Sequence, residues 1–563
     1  MAKNNQKDRS FSQNTLQFIE EYQQKLDEKK EEESLQTIHV DTIASKVAAF
    51  YERLRIIIDW KDEHLIRRTA IERNLKRRFL SELGFRFNAK LDPHQIAEDL
   101  LIELIRAGHF PNNTIPKKRI SDLAEIIKKY IIILENSEKP RQNTKERVNF
   151  YHWVLEMGAC EIEEALEPPI KQKALLTYMT NQLSKRLRLD PELRIQDREK
   201  WTLTYIAVHR ALFRLDSPLI HYHLLRKKYS DWKTTDETRL KEIARELPAT
   251  RTEFEKLLEH PLYPKFYKYC ERYNTFYLIL SDVLDMLEKH QQKKEKKSDQ
   301  KVEPLNVKEE LKNPKKWKPL AKAAFNERSE TLRSRLNRIA IYSTLSIFVG
   351  GIFSLFLVEV PLARLFAGRF SPMALAIDLL VPTALMFILV GTARKPEKEN
   401  LENVIEGLEK TIYQEGKWGI YQIDKPRKHG FIANFLITLF YFLVWGISLS
   451  AIVAIFYFAQ VPIPSVVLDT INVAVVTFVG IEIRQRADDL KVGEEKTNFF
   501  NFIFDTLSLP VAKFGKWLSD KWKEYNVVSV FFTALVDMPF LAFIELVESW
   551  SAFLKEKKSG IYS

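Results

Sequence analysis

FIANFLITLFYFLVWGISLSAIVAIFYFA, residues 431–459, runs for 29 positions without a single Asp, Glu, Lys or Arg. As a helix it would measure about 43 Å, against the roughly 30 Å hydrocarbon core of a bilayer. The run therefore reads as a transmembrane helix long enough to tilt or to project beyond the lipid. Three further apolar stretches flank it: Ile339 to Val360, Pro372 to Gly391, and about Pro462 to Ile483. Four spans are expected, all after residue 338.

The basic residues around these runs set an orientation. Residues 312–338 carry nine Lys and Arg, and the 361–371 loop carries only Arg364 and Arg369. The 392–430 segment carries eight, the turn at 460–465 none, and Arg484, Arg486, Lys491 and Lys496 follow the last run. Cytoplasmic loops are the basic ones, so two hairpins with both chain ends inside are expected. The opening MAKNNQKDRSFSQNTL lacks the apolar core of a cleavable signal, which keeps the polar half where it is made. The expected location is the cytoplasmic (inner) membrane, multi-pass.

The rest of the 563-residue chain divides by composition. Residues 1–37 are rich in Gln, Glu, Lys and Asn and read as a polar arm, frayed or disordered. Residues 38–290 place apolar side chains at three and four spacing, as in ISDLAEIIKKYIIIL and WTLTYIAVHRALFRL, and read as a cytoplasmic helical domain. Three sites of the form KLDPH, RLDPE and RLDSP put Asp92, Asp190 and Asp216 where a helix N-cap belongs. Residues 291–338 read as a charged basic linker broken by Pro304 and Pro314. Hairpin 1 then covers 339–391, a cytoplasmic loop 392–430, hairpin 2 431–483, and an amphipathic membrane-surface region 484–563. The fold class is all-α: a cytoplasmic helical domain plus a four-helix transmembrane bundle with C-terminal amphipathic interfacial helices.

In that last region, Trp517 and Trp522 are mixed with Lys513 and Lys516 in FFNFIFDTLSLPVAKFGKWLSDKWKEY, the composition of a helix at the level of anionic headgroups. NVVSVFFTALVDMPFLAFIELVESW follows, with Thr533, Asp537, Glu545 and Glu548 in one polar stripe, which favours lying on the membrane over crossing it. This segment and ACEIEEALEPPIKQKALLTYMTNQLSKRLRLDPE, residues 159–192, resemble uncharacterised multi-pass inner-membrane proteins of bacteria with reduced genomes. The resemblance implies a bacterial inner-membrane location and assigns a role to no residue.

The formal charge of +12 suits an anionic lipid surface or nucleic acid. The six cations Arg67, Arg68, Arg73, Lys76, Arg77 and Arg78 come without a nucleic-acid recognition motif, so a face paired with nearby acids is the simpler reading. Only Gly84, Gly108 and Gly158 occur before residue 350, which leaves no phosphate-cradling loop. HExxH and GxSxG are absent as well, and Cys160 and Cys270 form no CxxC motif. No catalytic signature and no cofactor emerge.

Two intramembrane acids stand out. Asp378 lies about 10 Å into its span, and Pro382 cannot donate to the carbonyl of residue 378. Asp469 follows Pro464 at similar depth, with Thr470 and Asn472 beside it. Together they could hold a proton or cation, or serve as polar glue between helices. Small residues recur every four positions in the other two spans, at Ser346, Gly350 and Ser354 and at Gly446, Ser450 and Ala454, which suggests close helix packing and a duplicated hairpin. His152, Glu156, Cys160 and Glu164 share one helix face and are metal-ligand types, although solvent-facing stripes contain the same residues. The pair in HYH, His221 and His223, points apart on a helix.

These features support a membrane-anchored scaffold or interaction protein with an unknown cytoplasmic protein partner, and homo-oligomers are compatible with it. The alternative is a transporter or channel component working through Asp378 and Asp469.

Overall fold

The computed structural model describes residues 11–30, 37–38, 63–82, 91–137, 144–297, 305–354, 356, 361, 372–391, 398–413, 419–425, 430–458, 461, 463–487, 490, 492, 499–525, 546, 550 and 553. They are mostly helical, as an all-α class requires. Two three-residue strands, Leu187–Leu189 and Tyr421–Ile423, are the named extended elements among them. The described elements divide between two compact units, residues 12–188 with 194–271, and residues 11, 189–193 and 272–525.

The first unit contains α1 (Gln13–Lys30), α2 (Glu63–Glu82), α3 (Pro93–Arg106), α4 (Lys118–Asn136), α5 (Thr144–Leu166), α6 (Ile170–Arg186), α7 (Asp197–Phe213), α8 (Ser217–Lys228), α9 (Glu237–Leu258) and α10 (Tyr263–Glu271). The apolar spacing seen in the sequence becomes the core: Leu123, Ile127, Tyr130, Ile133 and Leu134 of α4 are buried, as are Ile96, Leu100, Leu104 and Ile105 of α3. Asp92 caps α3 by accepting from the His94 amide. Asp190 precedes only a single 3-10 turn, Pro191–Leu193. Asp216 stands at the N-cap of α8 but makes no side-chain cap bond, because Arg68 takes its carboxylate.

Within the expected polar arm, the described residues 13–30 are neither frayed nor disordered. Gln13–Lys30 is a helix docked on α6, with Phe18, Ile19 and Tyr22 buried. Phe18 stacks on Tyr178 with ring centroids 4.8 Å apart, and the Thr15 and Tyr178 hydroxyls lie 2.9 Å apart. Few apolar residues occur here, but these three fall within five positions on one face, and each large apolar side chain contributes about 1.5–3 kcal/mol when buried. The helical pattern at 43–60 lies outside the described residues.

The second unit contains α11 (Asn274–Lys297), α12 (Val307–Lys312), α13 (Pro314–Ser354), α14 (Pro372–Gly391), α15 (Lys398–Tyr413), α16 (Phe431–Phe458), α17 (Ile463–Ala487) and α18 (Phe499–Tyr525). Three boundaries differ from expectation. The division falls at 271–272 rather than 290, because α11 packs its apolar face on α13 and α15. Within the expected linker, Val307–Lys312 and the stretch from Pro314 onward are helix, with Val307, Leu311, Trp317, Ala321, Ala324 and Phe325 buried among the lysines at helical spacing. Within the expected 392–430 loop, α15 buries Val404, Leu408 and Ile412.

This collar of helices is cross-tied. Trp317 donates its indole N–H to the Tyr413 hydroxyl at 2.8 Å, and that hydroxyl donates to the Leu311 carbonyl. Arg328 holds Asp282 through two bonds of 2.5 and 2.7 Å. Gly407 is obligatory here, since an added Cβ would come within 2.2 Å of the Phe276 ring.

The four apolar segments lie in the C-terminal part of α13, in α14, in α16 and in α17. Among the described residues, two helices are long and apolar enough to cross a membrane, Phe431–Phe458 and Val466–Arg484, and Leu379–Leu389 is a shorter apolar stretch. α14 packs on both α13 and α17, and α18 packs on α16 and α17. The helix expected at headgroup level, 499–525, is held against its neighbours: the Ser448 hydroxyl donates to the Leu507 carbonyl at 2.9 Å, and Gly515 sits so close to the Ala474 carbonyl that a Cβ would come within 2.1 Å of its oxygen. Phe502, Ile503, Leu507, Leu509 and Trp517 stay exposed on the outer side of α18.

Candidate functional site

Asp469 is the acid the helices enclose. It is 1 % exposed on α17, one turn from Val466 and Val473, and these valines pack with Ile377, Val381 and Leu385 of α14 and with Phe456 of α16. Thr470 beside it turns its hydroxyl back to the Val466 carbonyl at 2.7 Å. Asn472 is half-buried and Pro382 is buried on α14. The side chain of Asp378, on the same helix as Pro382, lies outside the described residues.

The small-residue stripes fare differently. The side chains at Ser346, Gly350 and Ser354 lie outside the described residues. On α16, Gly446 has open space where a Cβ would be, Ser450 is exposed and Ala454 is half-buried, so this stripe does not form the contact. The packed face is the neighbouring one, Val444, Ser448 and Phe456. A helix apolar on every side carries no period that tells which face meets protein and which meets solvent. Close approach is instead made by Gly480, against Leu389, and by Gly515. Lys513, Lys516 and Trp517 are exposed, with the Lys513 ammonium 5.0 Å from the Tyr441 ring centre. The side chain of Trp522 and residues 526–545 lie outside the described residues.

A second concentration of charge, in the first unit, escaped sequence reading. α5 carries Glu161 and Glu164, both buried. Glu161 accepts from the Tyr130 hydroxyl at 3.0 Å, the Trp232 indole at 2.9 Å and the Lys129 ammonium. Glu164 accepts from Arg226 at 2.9 Å, the Tyr222 hydroxyl at 3.3 Å and the Lys173 ammonium, and His223 Nε2 lies 3.2 Å away. Burial alone would raise the Glu164 pKa, but a hydrogen bond from His223, once that ring carries an Nε2 proton, and the Lys173 charge outweigh it and hold it at about 2. Burial pulls Lys173 down to about 8 even though Glu164 supports its charge. Next along α5, burial pushes Glu163 up to about 7 against the pull of Arg68 and Arg67. The cluster is a clamp joining α4, α5, α6 and α8. One signal was present: 157, 161 and 164 continue the apolar stripe of α5, so these acids had to be interior.

The metal-ligand types on α5 do not converge. Half-buried His152 lies near Lys76 and Glu72, Glu156 pairs with Lys76, Cys160 is buried beside Arg68, and Glu164 belongs to the clamp. Among the described residues no three His, Cys, Asp or Glu side chains are grouped to hold a metal ion. His221 and His223 do point apart: the first accepts from the Trp153 indole at 2.9 Å, and the second faces His209. The basic face of α2 is paired with acids, Arg67 with Glu167, Arg68 with Asp216, Lys76 with Glu72 and Glu156, Arg77 with Glu103, and Arg78 with Asp99. Arg73 also has a partner. Arg68 is buried, its carboxylate contact 2.6 Å long on the Nη1 side, which makes this pair part of the core rather than of a ligand-binding surface.

No protein-family model, curated protein or solved structure matches the chain.

Proposed function

We propose that this chain is an integral protein of a bacterial inner membrane that anchors a cytoplasmic helical domain as a scaffold or interaction module. The supporting observation is α16, which leaves Phe435, Leu436, Phe440, Phe442, Leu443, Ile447 and Ile455 exposed on several sides, with only 17 % of its most apolar window buried. Soluble surfaces rarely carry apolar patches of that extent, and lipid is the solvent that accepts them. In this reading the four apolar segments are two hairpins with both ends in the cytoplasm, as the basic loops favour. The exposed Lys513, Lys516 and Lys521 meet anionic headgroups, with Trp517 at the interface.

The first unit gives a protein partner a rigid surface, since its buried charges are spent on one another. Affinity capture from detergent-solubilised membranes, with the full chain and with a chain lacking residues 1–271, tests this role. Partners retained by the full chain and lost from the shortened one are expected. Identical partner sets would count against it.

The enclosure of Asp469 favours a second reading, a proton or cation site within the helices. Flux into proteoliposomes above that of empty vesicles, abolished by Asp469→Asn, is its expected result. Flux equal to that of empty vesicles removes it.

A further inference from the structure

Two imidazoles in the first unit make a chain that the clamp around Glu164 does not need. His209 on α7 and His223 on α8 are both buried. His209 Nδ1 lies 2.7 Å from the Tyr205 carbonyl oxygen, and His209 Nε2 lies 2.8 Å from His223 Nδ1. His223 Nε2 lies 3.2 Å from Glu164 Oε1.

The hydrogens can be counted. A carbonyl at one end and a carboxylate at the other only accept, so each of the three gaps needs a hydrogen from a ring nitrogen or a protonated carboxyl. Two neutral imidazoles supply two. Tyr205 fixes the first hydrogen on His209 Nδ1, which leaves His209 Nε2 to accept from His223 Nδ1. His223 Nε2 then presents a lone pair to a carboxylate oxygen. One more proton completes the chain, and no choice of tautomers removes the need for it.

We propose that His209, His223 and Glu164 form a buried binding site for one proton, vacant when both rings are neutral and filled on acidification. Uptake forms one N–H bond on His223, with the proton drawn from water or buffer, and converts a contact between two acceptors into a charge-assisted hydrogen bond between α8 and α5.

The groups facing the pair fix where uptake occurs. They are Glu164 from α5, Lys173 from α6, Tyr205 from α7, and Tyr222, Arg226 and Lys227 from α8. α9 directs Arg251 and Glu255 at His221 instead, and α10 sets Tyr263 against Arg210. Burial pushes both rings below the ordinary histidine value; for His223 the Glu164 carboxylate works against this, and Lys173 and Arg226 work with it. His209 is disfavoured further by charge on His223, and only His223 faces the Glu164 carboxylate, so the added charge resides on His223. A metal ion is not an alternative occupant, because His209 Nε2 and His223 Nδ1 are within hydrogen-bond distance of each other.

Nitrogen NMR of the full chain, labelled with 15N-histidine and held in detergent micelles, tests the site between pH 8 and pH 5. His209→Gln and His223→Gln assign the signals. At pH 8 each ring is expected to carry one N–H, and on acidification His223 gains a second with a midpoint below the ordinary value of about 6.5. Lys173→Met, which keeps the carboxylate, raises that midpoint by about one unit. The proposal is overturned if His223 stays neutral to pH 5, or titrates at the ordinary value whether or not Lys173 is present.

Discussion

Glu164→Gln lowers the unfolding free energy of the first unit by about 3–5 kcal/mol, because it leaves Lys173 and Arg226 partly buried without their counter-charge. The matched control is Glu253→Gln, which breaks an exposed pair with Lys228 and costs under about 1 kcal/mol. Urea unfolding followed through the buried Trp153 and Trp232 separates the two. The same carboxylate gives the unit an acid limit. Its pKa of about 2 is depressed from the ordinary value, so its stabilisation is complete above about pH 4.5 and is lost as pH falls toward 2. In Glu164→Gln that segment of the pH profile flattens. Equal stabilities for the two variants would mean that the clamp is solvated and contributes little.

Leu443→Asp lowers the amount of chain recovered in the alkali-resistant membrane fraction. Leu443 is 54 % exposed near the middle of α16, and an acid at the centre of a spanning helix costs about 2.5–3.5 kcal/mol on insertion scales. On a water-facing helix the same exposed position would take the acid within about 0.5 kcal/mol. Alkali-resistant membrane association, measured for wild type and variant, is the readout. A variant that remains abundant and alkali-resistant would place this face of α16 against water or protein, and the lipid reading would fail with it.

Much of the fold was legible because it is written locally. Helix periods, the Asp92–Pro93 start and the uncharged runs each depend on neighbours within a few residues. What stayed hidden has one of two physical causes. In α1, α12 and the start of α13 a few large apolar side chains decide the packing, while numerous Gln, Glu and Lys residues dominate any average over the segment. For α16 the difficulty is reversed, since apolar residues on every side leave no contrast to read, and Gly446 looks as suited to packing as Ser448. The polar clusters depend on long-range meetings. Lys129 reaches Glu161 across 32 positions, and Glu164 meets Arg226 across 62, which no local pattern encodes. Asp469 was legible as an exception, a single acid in an apolar run, and the helices do enclose it.

α13 continues for 41 residues from the collar around Trp317 into the apolar segment at its far end. At 1.5 Å per residue that is a strut of about 60 Å, with Pro319 too near its start to act as a joint. Tilting such a strut by ten degrees about its N-terminal end sweeps the opposite tip sideways by about 10 Å. If the apolar end of α13 lies in lipid, as proposed above, a small tilt of the collar therefore becomes a large lateral shift within the hydrocarbon layer.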